Sequence, residues 1–107
     1  MSSFITATGS YLPARVVSNE ELAPKLGLTP EQIFKSSGIK QRHWASPGET
    51  TSGLGGAALR NTRVSTEEID YLILGTMTSD RFIPGSAPGV QAALNLRDVP
   101  CLDIRQA

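Results

Sequence analysis

A chain of 107 residues has room for one domain and one modest core. Charged residues are 19% and hydrophobic residues 39%, which speaks against a disordered tail, and ten basic residues balance ten acidic ones, so the charge gives no reason to expect nucleic acid or an anionic membrane as partner. A single cysteine, Cys101, excludes an intrachain disulfide; Met1–Thr6 lacks the pattern of a signal peptide and no stretch reaches the ~18 apolar residues of a membrane span, so a soluble cytoplasmic α/β domain is expected.

Phe4 to Leu12, with Ile5, Thr6, Thr8 and Tyr11, reads as a strand stopped by Pro13. Three helix starts follow with the same chemistry. Ser18-Asn19-Glu20-Glu21 is a capping box, with Val17 and Leu22 spaced as a hydrophobic staple. Thr29-Pro30-Glu31-Gln32 is the second, with Pro at the favoured first helical position and an end predicted at Gly38. A loop from Gly38 to Glu49 leads into a helix over Thr50 to Thr62, weakened by Gly53, Gly55 and Gly56 at ~1 kcal/mol each and so dependent on tertiary packing. Ser65-Thr66-Glu67-Glu68 is the third box, stapled by Val64 and Ile69. Tyr71 to Thr76 is a continuous apolar run, which predicts a strand buried on both faces. After the break at Ile83-Pro84-Gly85, a helix is predicted over Ser86 to Leu96 with Ala87, Val90 and Leu94 on one side, then a strand over Val99 to Ile104. The order is β-α-α-α-β-α-β, and its last three elements favour a right-handed parallel crossover.

Generic site signals are few. Gly53-Leu54-Gly55-Gly56 follows no strand and is not a dinucleotide fingerprint, and one His with one Cys excludes the familiar structural zinc sets. Glu20/Glu21 and Glu67/Glu68 stand at helix starts, where capping and the helix dipole account for them. Cys101 lies inside a predicted strand rather than at a helix N-terminus, so it reads as a structural thiol. His43 sits in a loop beside Lys40 and Arg42 and reads as a packing or hydrogen-bonding residue.

Taken in order, six segments resemble one family. They are Thr8-Gly9-Ser10-Tyr11-Leu12-Pro13, Val17-Ser18-Asn19-Glu20-Glu21-Leu22, Gly38-Ile39-Lys40-Gln41-Arg42-His43, Glu67 to Ile73 followed by Thr76, Pro84-Gly85-Ser86-Ala87 with Gln91, and Leu102-Asp103-Ile104-Arg105-Gln106-Ala107. Each is weak alone; the ordered set resembles the β-ketoacyl-acyl-carrier-protein synthase III branch of the thiolase superfamily. The resemblance implies an α/β fold of the thiolase-like α-β-α-β-α type. Residues 1–107 would be a partial N-terminal domain, most of the first of two pseudo-repeated halves, with no second domain in the chain.

It also implies a function. The family's nucleophilic Cys comes five positions after the aspartate matching Asp103, immediately after Ala107, and its His and Asn lie further downstream. The parent protein would be an acyltransferase of fatty acid biosynthesis, condensing an acyl-CoA starter with malonyl-acyl carrier protein through an acyl-Cys intermediate. It would be a cytoplasmic homodimer that uses no cofactor and binds neither membrane nor nucleic acid, and this chain alone would be inactive. Where the family often carries a Trp that stacks on adenine and an Arg that meets phosphate, this chain has Gln32 and Ser36, with Lys35 as the neighbouring charge. Ile83 matches a residue that reaches into the partner subunit's acyl pocket. The alternatives are a synthase III-like enzyme of secondary metabolism, making esters, quinolones or polyketide starters, and a non-catalytic dimerisation or binding piece.

Overall fold

The computed structural model describes residues 1–105 and divides into two compact units, Met1–Tyr11 with Glu49 onward, and Leu12–Gly48.

The second unit holds β1 (Arg15–Ser18), α1 (Asn19–Leu26), α2 (Pro30–Ser37) and β2 (Gln41–Trp44). Strands β1 and β2 pair antiparallel with Val17 opposite Arg42. Helix α1 starts at Ser18, whose hydroxyl accepts from the Glu21 N–H, and α2 starts at a complete capping box between Thr29 and Gln32. Both helices end on a left-handed glycine, Gly27 and Gly38, the latter as predicted. The core here is Val17, Ala23 and Ile33, around which Asn19 is buried with its side chain bonded at both ends: its amide nitrogen donates to the Ile39 carbonyl and its oxygen accepts from Arg42.

The first unit holds α3 (Thr51–Thr62), a 3₁₀ turn (Thr66–Glu68), β3 (Leu72–Gly75), α4 (Ala87–Ala93) and β4 (Cys101–Ile104). Strands β3 and β4 pair parallel, Leu72 opposite Cys101 and Gly75 opposite Ile104, with α4 as the connection between them. Ala87, Val90 and Val99 are its buried apolar residues. The weak glycines of α3 are compensated by packing: a Cβ at Gly55 would sit 3.5 Å from Val90 and 3.7 Å from Leu74, so the bare backbone lets α3 lie close to α4 and β3.

Four expectations need correction. Phe4–Leu12 forms no strand: β propensity needs a partner backbone, and here the segment lies against α3, with the Asn61 amide donating to the Ser10 carbonyl and Gly9 so close to Ala58 and Thr62 that a Cβ would stand 2.5 Å from the Ala58 oxygen. The expected loop Gly38–Glu49 contains β2, whose partner β1, Arg15–Ser18, is a strand not among the expected elements. The third capping box opens only a 3₁₀ turn; the Ser65 hydroxyl accepts from Glu67 as a cap should, but β3 begins four residues after Glu68 and leaves no length for a helix. Finally, β3 is not buried on both faces: Leu72 and Leu74 are half-buried while Ile73 is 59% exposed.

Candidate functional site

Gln32, Lys35 and Ser36 all lie on α2, exposed, and the backbone explains what two of them do. The Gln32 side chain accepts from the Thr29 N–H at 2.8 Å, closing the capping box, and the Ser36 hydroxyl donates to the Ile33 carbonyl at 3.1 Å. Neither offers an aromatic plane or a charge; Lys35 is the cation on this part of the helix. A groove of about 410 Å³ lies along α2, lined by Asn19, Pro30, Glu31, Phe34 and Lys40, with the Lys40 ammonium 5.7 Å above the Phe34 ring. Phe34 follows Gln32 by about 200° around the helix, so the groove belongs to the face opposite Gln32 and Ser36.

Ile83 belongs to the other unit, at the tip of the loop from Thr76 to Gly85 that leaves the carboxyl end of β3. The carboxyl ends of parallel strands are where α/β sheets place their ligand sites. Ile83 is 78% exposed and Phe82 is 83% exposed. Polar bonds hold the flanks of the loop. The Thr51 hydroxyl donates to the Thr78 carbonyl, and the Asp80 carboxylate accepts the Ser52 N–H at 3.1 Å, at the start of α3. Burial works to raise the Asp80 carboxyl, but hydrogen bonds from Ser52 and Thr51 and the charge of Arg81 outweigh it and hold it below its ordinary value.

The other flank is tied to β4. Ser86 stands at the cap of α4 but makes no side-chain bond to its own helix; its hydroxyl accepts the Asp80 N–H at 2.7 Å. The cap is supplied by Asp103, whose Oδ1 accepts the N–H groups of Ser86 and Ala87, each at 3.0 Å. Gly85 makes this possible: at φ 117° its absent Cβ would lie 2.4 Å from the Asp103 carboxylate. Two residues on, the Arg105 guanidinium donates to the carbonyls of Arg81 and Phe82 at 3.2 and 2.8 Å and lies 5.5 Å from the Phe82 ring centre. The sequence marked Asp103 only as a landmark and Arg105 only as part of a matching segment, with no role for either, because each acts across more than fifteen residues. Gln106, Ala107 and the expected nucleophile position lie outside the described residues.

Cys101 is partly buried, donating to the Gln91 side-chain oxygen at 3.2 Å, and burial together with the Asp103 charge pushes its thiol up. A thiol held protonated is a poor nucleophile, in keeping with a structural reading. His43 lies on β2 rather than in a loop, and its Nδ1–H donates to the Pro13 carbonyl at 2.6 Å. Glu20 is held below its ordinary value by its own backbone N–H and by Ser18, as expected of a helix-start carboxylate. Among the described residues no cluster of His, Cys, Asp or Glu could hold a metal ion, and no helix is long and apolar enough to cross a membrane.

No protein-family profile matches the chain. It is 39% identical over 109 aligned residues to the β-ketoacyl-[acyl-carrier-protein] synthase III of Rhodospirillum centenum, covering 98% of this chain and 34% of that protein. The crystal structure of β-ketoacyl-[acyl carrier protein] synthase III from Thermus thermophilus superposes with a TM-score of 0.88 at 33% identity, covering 97% of this chain and 33% of that one. A priming β-ketosynthase of a polyketide biosynthetic pathway superposes at 0.86 with 32% identity, covering 94% of this chain and 31% of that one. The architecture is therefore part of the fold of the thiolase-like condensing enzymes. Within them, the chain belongs to the β-ketoacyl-[acyl-carrier-protein] synthase III family, and it spans about a third of the length of the curated relatives it matches.

Proposed function

We propose that this chain is the N-terminal part of a synthase III-like acyltransferase that condenses an acyl-CoA starter with malonyl-acyl carrier protein at the start of fatty acid biosynthesis. The observation that carries this reading is the agreement along 98% of the chain with a relative of that name. In the full-length enzyme a Cys thiolate immediately after Ala107 attacks the acyl-CoA thioester, an acyl-Cys bond forms and the CoA thiolate leaves. Loss of carbon dioxide from the malonyl thioester then gives the carbanion that attacks the acyl-Cys carbonyl; the new carbon–carbon bond forms and the Cys thiolate is released. Both steps need an oxyanion site for the thioester oxygen and a helix N-terminus that lowers the thiol pKa. In this reading Lys35 is the charge near the CoA, Gln32 and Ser36 line its approach, and Ile83 reaches into the acyl pocket of the partner in a cytoplasmic homodimer. The chain taken alone lacks the Cys-His-Asn set and forms no acyl-enzyme.

A second reading is favoured by one observation: Gln32 supplies no stacking plane and Ser36 no charge, so the CoA portion of any acyl-CoA donor is held less tightly than by a Trp/Arg pair. A starter-transferring enzyme of secondary metabolism fits that departure, and a polyketide priming synthase is among the structures this chain resembles.

The test is to incubate the full-length gene product with radiolabelled acetyl-CoA and longer acyl-CoA donors. Stoichiometric covalent label on the Cys after Ala107, with release as β-ketoacyl-carrier protein on adding malonyl-acyl carrier protein, is expected. A labelled enzyme that uses only non-acetyl donors moves the assignment to the second reading, and no label from any donor sinks both.

A further inference from the structure

We propose that Arg105 is a positioning residue that ties strand β4 to the Ile83 loop and so sets which acyl chains the enzyme accepts. The inference rests on the reading of Ile83 as an acyl-pocket residue. Asp103 and Arg105 are two apart on an extended chain and so share one side of it. They hold the two sides of Ile83 with opposite chemistry: the Asp103 carboxylate takes the N–H groups of Ser86 and Ala87 at the start of α4, and the Arg105 guanidinium gives to the carbonyls of Arg81 and Phe82 in the loop. The stretch between these grips contains Ile83.

Packing within the described residues of this chain does not fix that stretch. Phe82 and Ile83 are 83% and 78% exposed, and the bonds of Asp80 to Ser52 and Ser86 hold only its preceding flank. The carbonyl nearest Ile83 that is held by a side chain is that of Phe82, and Arg105 holds it, with the guanidinium beside the Phe82 ring. Loss of the guanidinium frees the backbone one residue before Ile83 while α4, its cap and the β3–β4 pairing remain. A one-methylene difference in an apolar pocket is worth about 10- to 200-fold in discrimination, so a small displacement of Ile83 is read as altered chain-length preference.

The experiment compares the full-length gene product with Arg105→Ala, Arg105→Met and Arg105→Lys, measuring kcat/KM for acetyl-CoA and octanoyl-CoA. The ratio of the two kcat/KM values is expected to shift about tenfold in the Ala and Met variants and less in the Lys variant, which keeps one donor. An active enzyme whose variants lose activity equally with both donors, or keep the wild-type ratio, overturns the inference, since a merely structural arginine would do that. A wild-type enzyme that accepts no acyl-CoA overturns instead the function reading on which the inference stands.

Discussion

Helices α2 and α4 both carry a proline in their first turn, yet they begin by different means. Helix α2 caps itself: Thr29 accepts from Gln32, Gln32 answers Thr29, and the end is a left-handed glycine nine residues on. Helix α4 has no cap of its own; the N–H groups of its cap residue Ser86 and its first residue Ala87 are satisfied by Asp103, from a strand that pairs with β3. A helix that carries its own start can form wherever its apolar face finds a partner. A helix capped from elsewhere forms only once the sheet is in place, so α4, the Ile83 loop and β4 stand or fall together.

The sharpest way to break this contrast is Gly85→Ala. It asks an L-residue to hold φ 117° and drives a methyl against the Asp103 carboxylate, so a loss of about 3 kcal/mol in urea unfolding is expected. Asp103→Ala removes the borrowed cap outright and should cost about 2 kcal/mol, seen as faster amide exchange at Ser86 and Ala87; Asp103→Asn, which keeps an acceptor, should cost less than half of that. Thr29→Ala removes one half of the self-made cap, for about 1 kcal/mol, with exchange quickened at Gln32 and unchanged at Ala87. If Thr29→Ala cost more than Asp103→Ala, the self-sufficiency of α2 would be wrong.

The smallest effect is expected from acid. The Asp80 carboxyl is lower in the folded chain than its ordinary 3.8, so its contribution is present above that value and fades as pH falls through the folded value. Asp80→Asn should flatten the loss of stability below about pH 4 without removing it, because Glu20, also lowered, titrates in the same direction. Denaturant midpoints at pH 6 and pH 3 for the two proteins measure the difference.

The same contrast explains what the sequence revealed. Ser18, Thr29 and Gly38 act within four residues of where they stand, and the helix boundaries they mark are the observed ones to within a residue. Thr50 begins α3 for the same reason. By contrast β1 and β2, Arg-Val-Val-Ser and Gln-Arg-His-Trp, are four residues each without an alternating pattern, and they exist only by pairing across the two helices between them. Phe4–Leu12 errs the other way, with strong propensity and no ladder. At the site, a resemblance chose Gln32, Lys35, Ser36 and Ile83, but no local pattern could tell that Gln32 is occupied by a cap. Nor could one tell that Asp103 and Arg105 reach back 16 to 24 residues to the two sides of Ile83.

The bond between Asp103 and the start of α4 also governs where this part of the chain tolerates insertions and deletions. Residues 94–100 connect α4 to β4 outside either element, and a change of length there alters closure entropy only slightly. An added residue between Cys101 and Asp103 would be another matter. It would reverse inside and outside for the rest of β4, carry the carboxylate to the far face, strip the cap from α4 and swing Arg105 away from the loop in a single step. Length variation among relatives of this chain is therefore expected to collect before Cys101 and to be absent from the three residues that follow.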